Sequence, residues 1–256
     1  MAGTNPRKLA VAVSHPATGI GGDGLILIDT RNRRITMRIF NRDGSEAELC
    51  GNGLRQAAWY LNKYKFRSRK KFTVITLAGE FEIEVISGHG HSARVRTTLG
   101  TPDFSPEAVG VEREERLAFG IELQTIADKP MIADCVSLGN PHAVINVDDF
   151  EFDWQRAGEI ISTNSIFDAG INVHFIKIVN RARFVMKTFE RGSGATLACG
   201  SGAAACLAIG VMKNLLNKKA TAAMPGGELQ LEWDIDSNVI TQLGPTSIVC
   251  RGDFNR

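Results

Sequence analysis

One register of repetition constrains this chain more than any other feature. Cys50 and Cys199 stand 149 positions apart. At the same spacing Met37 meets Met186, Arg38 meets Lys187, Phe40 meets Phe189 and Arg42 meets Arg191, while Gly51 meets Gly200 and Gly53 meets Gly202. Each half therefore carries a strand-like run, a Gly/Ser-rich turn, Cys-Gly-x-Gly and then a helix-like run. Seven matched pairs in one ungapped register predict a duplicated domain. Two unrelated strand-turn-helix solutions would have no reason to place two cysteines in register.

Length and composition agree with two folded halves. The 256 residues are 43% hydrophobic and 23% charged, an ordinary globular balance, and each half is long enough to bury a core. A net charge of +2 is too small for a nucleic-acid footprint. No apolar run reaches the ~20 residues of a membrane span, and the start MAGTNPRKLAVAV has no signal-peptide pattern. A cytoplasmic protein is expected. Five cysteines, an odd number with no CxxC pair, argue against a disulfide framework and against structural zinc.

Strands are expected at 25–28, 35–40, 72–77, 81–86, 93–98, 143–147, 173–178, 183–189, 229–233 and 247–250, where β-branched and aromatic residues sit between Gly, Asn, Asp or Pro. Helices are expected at 54–62 and 203–216, with a surface helix at 154–162. The run AAACLAIGVM is apolar nearly all round and predicts a buried helix. Residues 107–117 are too charged to assign, and the basic run 67–71 reads as a solvated turn. The expected domains are 1–103 with 244–256, and 104–243.

Cys-Gly-x-Gly at a helix start has a specific chemistry. The first N–H groups of a helix lack intrahelical partners and sit at the positive end of its dipole. Glycines there let a ligand approach the backbone. Gly51-Asn52-Gly53 and Gly200-Ser201-Gly202 are therefore two candidate anion cradles, each preceded by a cysteine in a setting that favours thiolate. Two such halves facing one cleft would hold one carboxylate, with a thiol on either side of its α-carbon. One thiolate would remove the α-proton and the other thiol would deliver a proton to the opposite face. General bases alone contribute about 10²–10⁴-fold, so the cradles would have to stabilise the enolate-like transition state. Both thiols in one cleft also predict a Cys50–Cys199 disulfide without reductant.

The segments GIGGDGLILID, IFNRDGSEAELCGNGLRQAA, SLGNPHAVI, INVHFIKI, FERGSGATLACGSGAAA and PGGELQLEW resemble the diaminopimelate epimerase family and span most of the chain. The resemblance implies an α/β (α+β) fold of two pseudo-symmetric domains, each a curved, mostly antiparallel sheet around a central helix, with the site in the cleft between them. It implies conversion of LL-2,6-diaminopimelate to the meso form without cofactor or metal, in lysine and peptidoglycan precursor synthesis, by a homodimer. Cys50 and Cys199 would be the acid/base pair, Cys50 facing the α-proton of the LL substrate. His142 and Glu190 would tune them. Gly51, Asn52, Gly200 and Ser201 would bind the reacting carboxylate, and Asn41, Asn140, Asn172 and Arg191 the rest, with Arg191 on the distal carboxylate. The family begins with a strand and a Gly-Asn-Asp-Phe-type segment; this chain is expected to start after it, by truncation or loss, and Asn5 does not take over its role.

Other readings stay open. A racemase of the same fold for proline or hydroxyproline is one, although Arg191 and the asparagines favour a second polar head group. A non-catalytic binding member is another. Gly19-x-Gly21-x-x-Gly24 precedes a strand rather than a helix, so it reads as a turn and not a dinucleotide site. Cys135, Cys206 and Cys250 read as small core residues. His15, His89, His91 and His174 belong to no motif, and Arg251-Gly252-Asp253 is taken as chance.

Overall fold

A computed structural model describes residues 5–31, 34–67, 69–126 and 129–254, with the side chains of 125–129 left aside. Ser68 of the expected basic turn lies outside the described residues. The chain forms two compact units, Met1–Thr97 with Gly244–Arg256, and Thr98–Leu243.

The first unit begins with helix α1 (Pro6–Ser14), started by Asn5, whose side chain accepts from the N–H of Arg7, and by Pro6 at the first helical position. Strands β1 (Gly24–Asp29), β2 (Ile35–Asn41) and the short β3 (Glu46–Ala47) lead into α2 (Gly51–Tyr60). A π-helical turn, Leu61–Lys65, extends α2. Strands β4 (Lys71–Thr76), β5 (Gly79–His89) and β6 (Ser92–Gly100) follow. The pairing is antiparallel except between β2 and β4, which are parallel. Along β2, Ile35, Met37 and Ile39 face inward while Thr36 and Arg38 face out. They meet Leu54, Ala57 and Ala58, the apolar face of α2 at helical spacing, and Leu61 of the π-helical turn, together with Phe72, Val74, Ile83 and Val95.

The second unit carries α3 (Pro106–Val109), β7 (Ile121–Ile126), β8 (Lys129–Ser137) and β9 (Pro141–Asn146). It continues with α4 (Trp154–Ser162), β10 (Asn172–Asn180), β11 (Arg183–Glu190), β12 (Gly194–Thr196) and α5 (Gly200–Met212). Strands β13 (Lys219–Met224) and β14 (Gly227–Asp234) follow, and β15 (Val239–Ser247) begins in this unit and carries the chain into Gly244–Arg256. Here β9–β10 and β11–β13 are the parallel pairs. Helix α5 packs on one face of this mixed sheet, against Val144, Ile176, Met186, Leu229 and Leu231. Helix α4 covers the other with Ala157 and Ile161, against Ala143, Val173 and Phe175. That double cover explains why β10 is buried from Asn172 to Ile176 with no polar-out alternation.

The repeat is visible element by element. Helix α1 corresponds to α4, β1 to β10, β2 to β11, β3 to β12, α2 to α5, and β4–β6 to β13–β15. Strands β7–β9 and α3 have no counterpart among the described residues of the first unit. The fold is α+β, with two pseudo-symmetric halves each made of a mixed sheet packed on helices.

Some local expectations need correction. The second helix stops at Met212 rather than 216, because Asn214 takes a left-handed φ of 59° and turns the chain. The last strand is Val239–Ser247, not 247–250. Gly244-Pro245 stays extended, and Pro245, which has no N–H to give, uses its carbonyl to accept from Nε of Arg55. Cys250 is consequently exposed and not a core residue, whereas Cys135 and Cys206 are buried.

Candidate active site

Both sequence-singled cysteines are helix N-caps in extended backbone. Sγ of Cys50 accepts from the N–H of Gly53 at 3.3 Å, and Sγ of Cys199 from the N–H of Gly202 at 3.4 Å. Each thiol thus takes the third N–H of its helix. The first two, on Gly51 and Asn52 and on Gly200 and Ser201, have no acceptor within the helix. The glycines at the third position are required by packing. A methyl on Gly202 would lie 2.2 Å from Cε1 of His174, and one on Gly53 2.8 Å from Cδ1 of Ile26.

In the second unit most of the expected residues form one connected cluster. Glu190 ends β11 and accepts from Oγ1 of Thr196 at 2.5 Å. Its carboxylate and the burial of Cys199, only 6% exposed, push that thiol well above its ordinary range, burial being the larger cause. The Ser201 hydroxyl, 3.6 Å from the Cys199 sulfur, and the Gly202 N–H act the other way. Asn172 opens β10; its Nδ2 donates to Pro141 O at 2.8 Å and its Oδ1 accepts from the Arg191 N–H at 3.1 Å. Arg191 is exposed, with Nη1 donating to the carbonyls of Ala169 and Gly170.

His142 is fully buried on β9, and its interactions run away from solvent. Nε2 lies 3.0 Å from Oδ1 of Asn140 and Nδ1 lies 2.8 Å from Nε2 of His174, whose own Nδ1 is 3.1 Å from Oγ1 of Thr188. Burial, with a smaller push from Arg191, brings His142 down to about 3, so it is neutral in working buffers. Burial also lowers His174 well below the ordinary range. Sequence reasoning set His174 aside because it has no motif. It faces α5 and fills the space left by Gly202, a contact that only the folded sheet reveals.

The first unit is built differently around the same frame. Asn41 ends β2, with Nδ2 donating to Oγ of Ser45 at 2.9 Å. Cys50 is half-buried, and one turn along α2 lies Arg55, 6% exposed, whose Nη2 donates to Oδ1 of Asn52 at 2.5 Å and whose Nη1 donates to Gly51 O at 3.4 Å. Arg55 was not singled out by sequence; it reads there as one polar residue on an amphipathic helix. Among the described residues no group of three His, Cys, Asp or Glu gathers as a metal site, and no helix is long and apolar enough to cross a membrane.

Known proteins with this pattern are numerous. The family model for diaminopimelate epimerase matches residues 1–105 and 135–249. A diaminopimelate epimerase of Halothermothrix orenii is 37% identical over 250 residues, covering 96% of this chain and 87% of that protein. One of Methanococcus maripaludis is 34% identical over 253 residues, covering 98% and 91%. Among solved structures, a hydroxyproline epimerase from Agrobacterium vitis superposes with a TM-score of 0.66 at 14% identity, over 96% of this chain and 79% of that one. A PhzF-family phenazine biosynthesis protein from Bacillus anthracis gives 0.63 at 14% identity, over 98% and 90%. These last two share the fold. With the two capped thiols in register and the family match over most of its length, the chain belongs to the diaminopimelate epimerase family and is an isomerase.

Proposed function

We propose that this enzyme interconverts LL-2,6-diaminopimelate and meso-diaminopimelate by two-thiol acid-base transfer, without pyridoxal phosphate. The carrying observation is that Cys50 and Cys199 each cap a helix whose first two N–H groups have no acceptor within that helix. One thiolate takes the α-proton, and the electron pair passes into the carboxylate as an enolate-like charge. The N–H groups of Gly51, Asn52, Gly200 and Ser201 hold that charge, and the other thiol returns a proton to the opposite face. Asn41, Asn140 and Asn172 read the remaining polar groups. Arg191, exposed and braced by two carbonyls, meets the distal carboxylate. His142 and Glu190 set the protonation of the thiols. The thiols must stay reduced, which suits a cytoplasmic enzyme; a homodimer is part of this reading and sedimentation checks it.

The test is deuterium uptake from D2O at the α-carbon of LL-diaminopimelate. Cys50→Ala and Cys199→Ala should each lose steady-state conversion; full turnover in either would sink the mechanism. A Cys50–Cys199 disulfide formed on mild oxidation, with loss of activity, would further support two thiols acting on one carbon. Turnover of proline or hydroxyproline in place of diaminopimelate would favour the related racemase. Binding of diaminopimelate without isotope exchange would favour a non-catalytic member.

A further inference from the structure

The two cradles share a backbone but not a charge. In the first, Arg55 carries a guanidinium that is nearly buried and folded back over the start of α2. Its hydrogen-bond acceptors are Pro245 O at 3.3 Å, Gly51 O at 3.4 Å and Oδ1 of Asn52 at 2.5 Å, all neutral. No carboxylate among the described residues pairs with it. A buried cation without a counter-charge is costly, and here it also sits at the positive end of a helix dipole. Such a placement calls for an anion beside it. The surrounding charges narrow the choice. Glu46 on β3 is tied to Arg38 and Arg7, and Glu48 is exposed, where water screens it. Burial pushes the Arg55 guanidinium below its ordinary range, and Cys50 is the titratable group that acts the other way, its negative form favouring the charged guanidinium.

The second cradle has the opposite charge beside its thiol. At the spacing of the repeat, Ala204 stands where Arg55 does, and the charged group that acts on Cys199 is the Glu190 carboxylate. Burial of Cys199 and that negative neighbour both favour the neutral thiol.

We propose that Arg55 is a positioning residue whose charge holds Cys50 as the resting thiolate while its fork fixes the Asn52 side chain, so that the free enzyme waits as Cys50 thiolate and Cys199 thiol. The two thiols are then not equivalent before substrate binds. The free enzyme is loaded to take a proton at Cys50 and to give one from Cys199, and the opposite direction first requires a proton to move from Cys199 to Cys50 through solvent. This assignment rests on the reading of Cys50 as an acid/base thiol.

Iodoacetamide alkylation of the intact protein, followed across pH by mass spectrometry of the separate cysteine peptides, tests it without any substrate. In the unmodified enzyme Cys50 should reach half its maximal rate well below the ~8.5 of a free thiol. A Cys50 profile at or above that value overturns the proposal even if no variant folds. Arg55→Gln should slow Cys50 alkylation at pH 7 by about tenfold, the effect of a rise of about one pH unit, and leave Cys199 unchanged; an unaltered Cys50 profile in a folded Arg55→Gln overturns it. Arg55→Lys keeps the charge and should retain most of the fast reaction. If Lys loses as much as Gln, shape and not charge is at work and the proposal fails. A fast Cys50 in an enzyme that exchanges no α-proton of diaminopimelate would support Arg55's role and overturn the substrate reading instead.

Discussion

Nδ1 of His142 lies 2.8 Å from Nε2 of His174, and both rings are completely buried. With both histidines neutral, one proton arrangement satisfies the whole chain. Thr188 Oγ1 donates to His174 Nδ1, His174 Nε2 donates to His142 Nδ1, and His142 Nε2 donates to Asn140 Oδ1. His142 therefore reaches the Cys199 cradle through His174, which packs on Gly202, and not by a direct bond to the sulfur.

That neutrality makes stability depend on acid in a definite window. His142 is held at about 3 against an ordinary 6.5, and burial depresses His174 as well. Between those values the unfolded chain binds protons that the folded chain refuses. The stabilisation is thus complete above about pH 6.5 and is lost as pH falls toward 3, by up to about 1.4 kcal/mol per pH unit for each histidine. Urea midpoints measured from pH 7 to pH 4 should fall, and His174→Gln should flatten the slope. A slope unchanged in that variant would show that other groups set the acid response.

The two third-position glycines should differ in tolerance. A methyl on Gly202 meets a locked, buried ring, whereas a methyl on Gly53 meets the movable end of Ile26. Gly202→Ala is expected to cost about 1–3 kcal/mol and to disturb the histidine chain. Gly53→Ala should cost less. Chemical denaturation of both variants measures the difference, and equal losses would mean that His174 has room to move.

Glu190 offers a separate handle on Cys199. Its negative charge holds the thiol up, so Glu190→Gln should lower the Cys199 titration and speed its alkylation at a fixed pH. The Cys50 profile serves as the internal control. No change at Cys199 would leave burial as the sole cause of its weak acidity.

Much of this was legible before the fold was known, for physical reasons that particular residues illustrate. Strand β2 alternates from Ile35 to Ile39 because one face is wet there, and α2 shows its apolar positions at helical spacing. The two capped helix starts were legible because Cys-Gly-x-Gly is a local pattern that needs only a helix to follow it. Helix α1 was missed because KLAVAVS mixes helix and strand formers; Asn5 and Pro6 were the available signal. Strand β13, Lys219–Met224, was missed because its alanines carry little strand preference and its burial comes from α5 and β14. Arg55 and His174 escaped because burial creates their roles, and burial belongs to the assembled sheet. Cys250 looked like core from its apolar neighbours, yet the strand it was assigned to ends before it.

Helix α5 has no polar side to show water, with every residue from Gly202 to Gly210 buried. Cys206 sits midway along it, inaccessible and held as thiol by burial. A reagent can reach that sulfur only when the second unit opens. Its labelling rate in native buffer, divided by that of an unprotected thiol, then equals the fraction of time the unit spends open when reclosing outpaces labelling. The protein thereby carries its own gauge of unfolding, in the same helix that Cys199 caps.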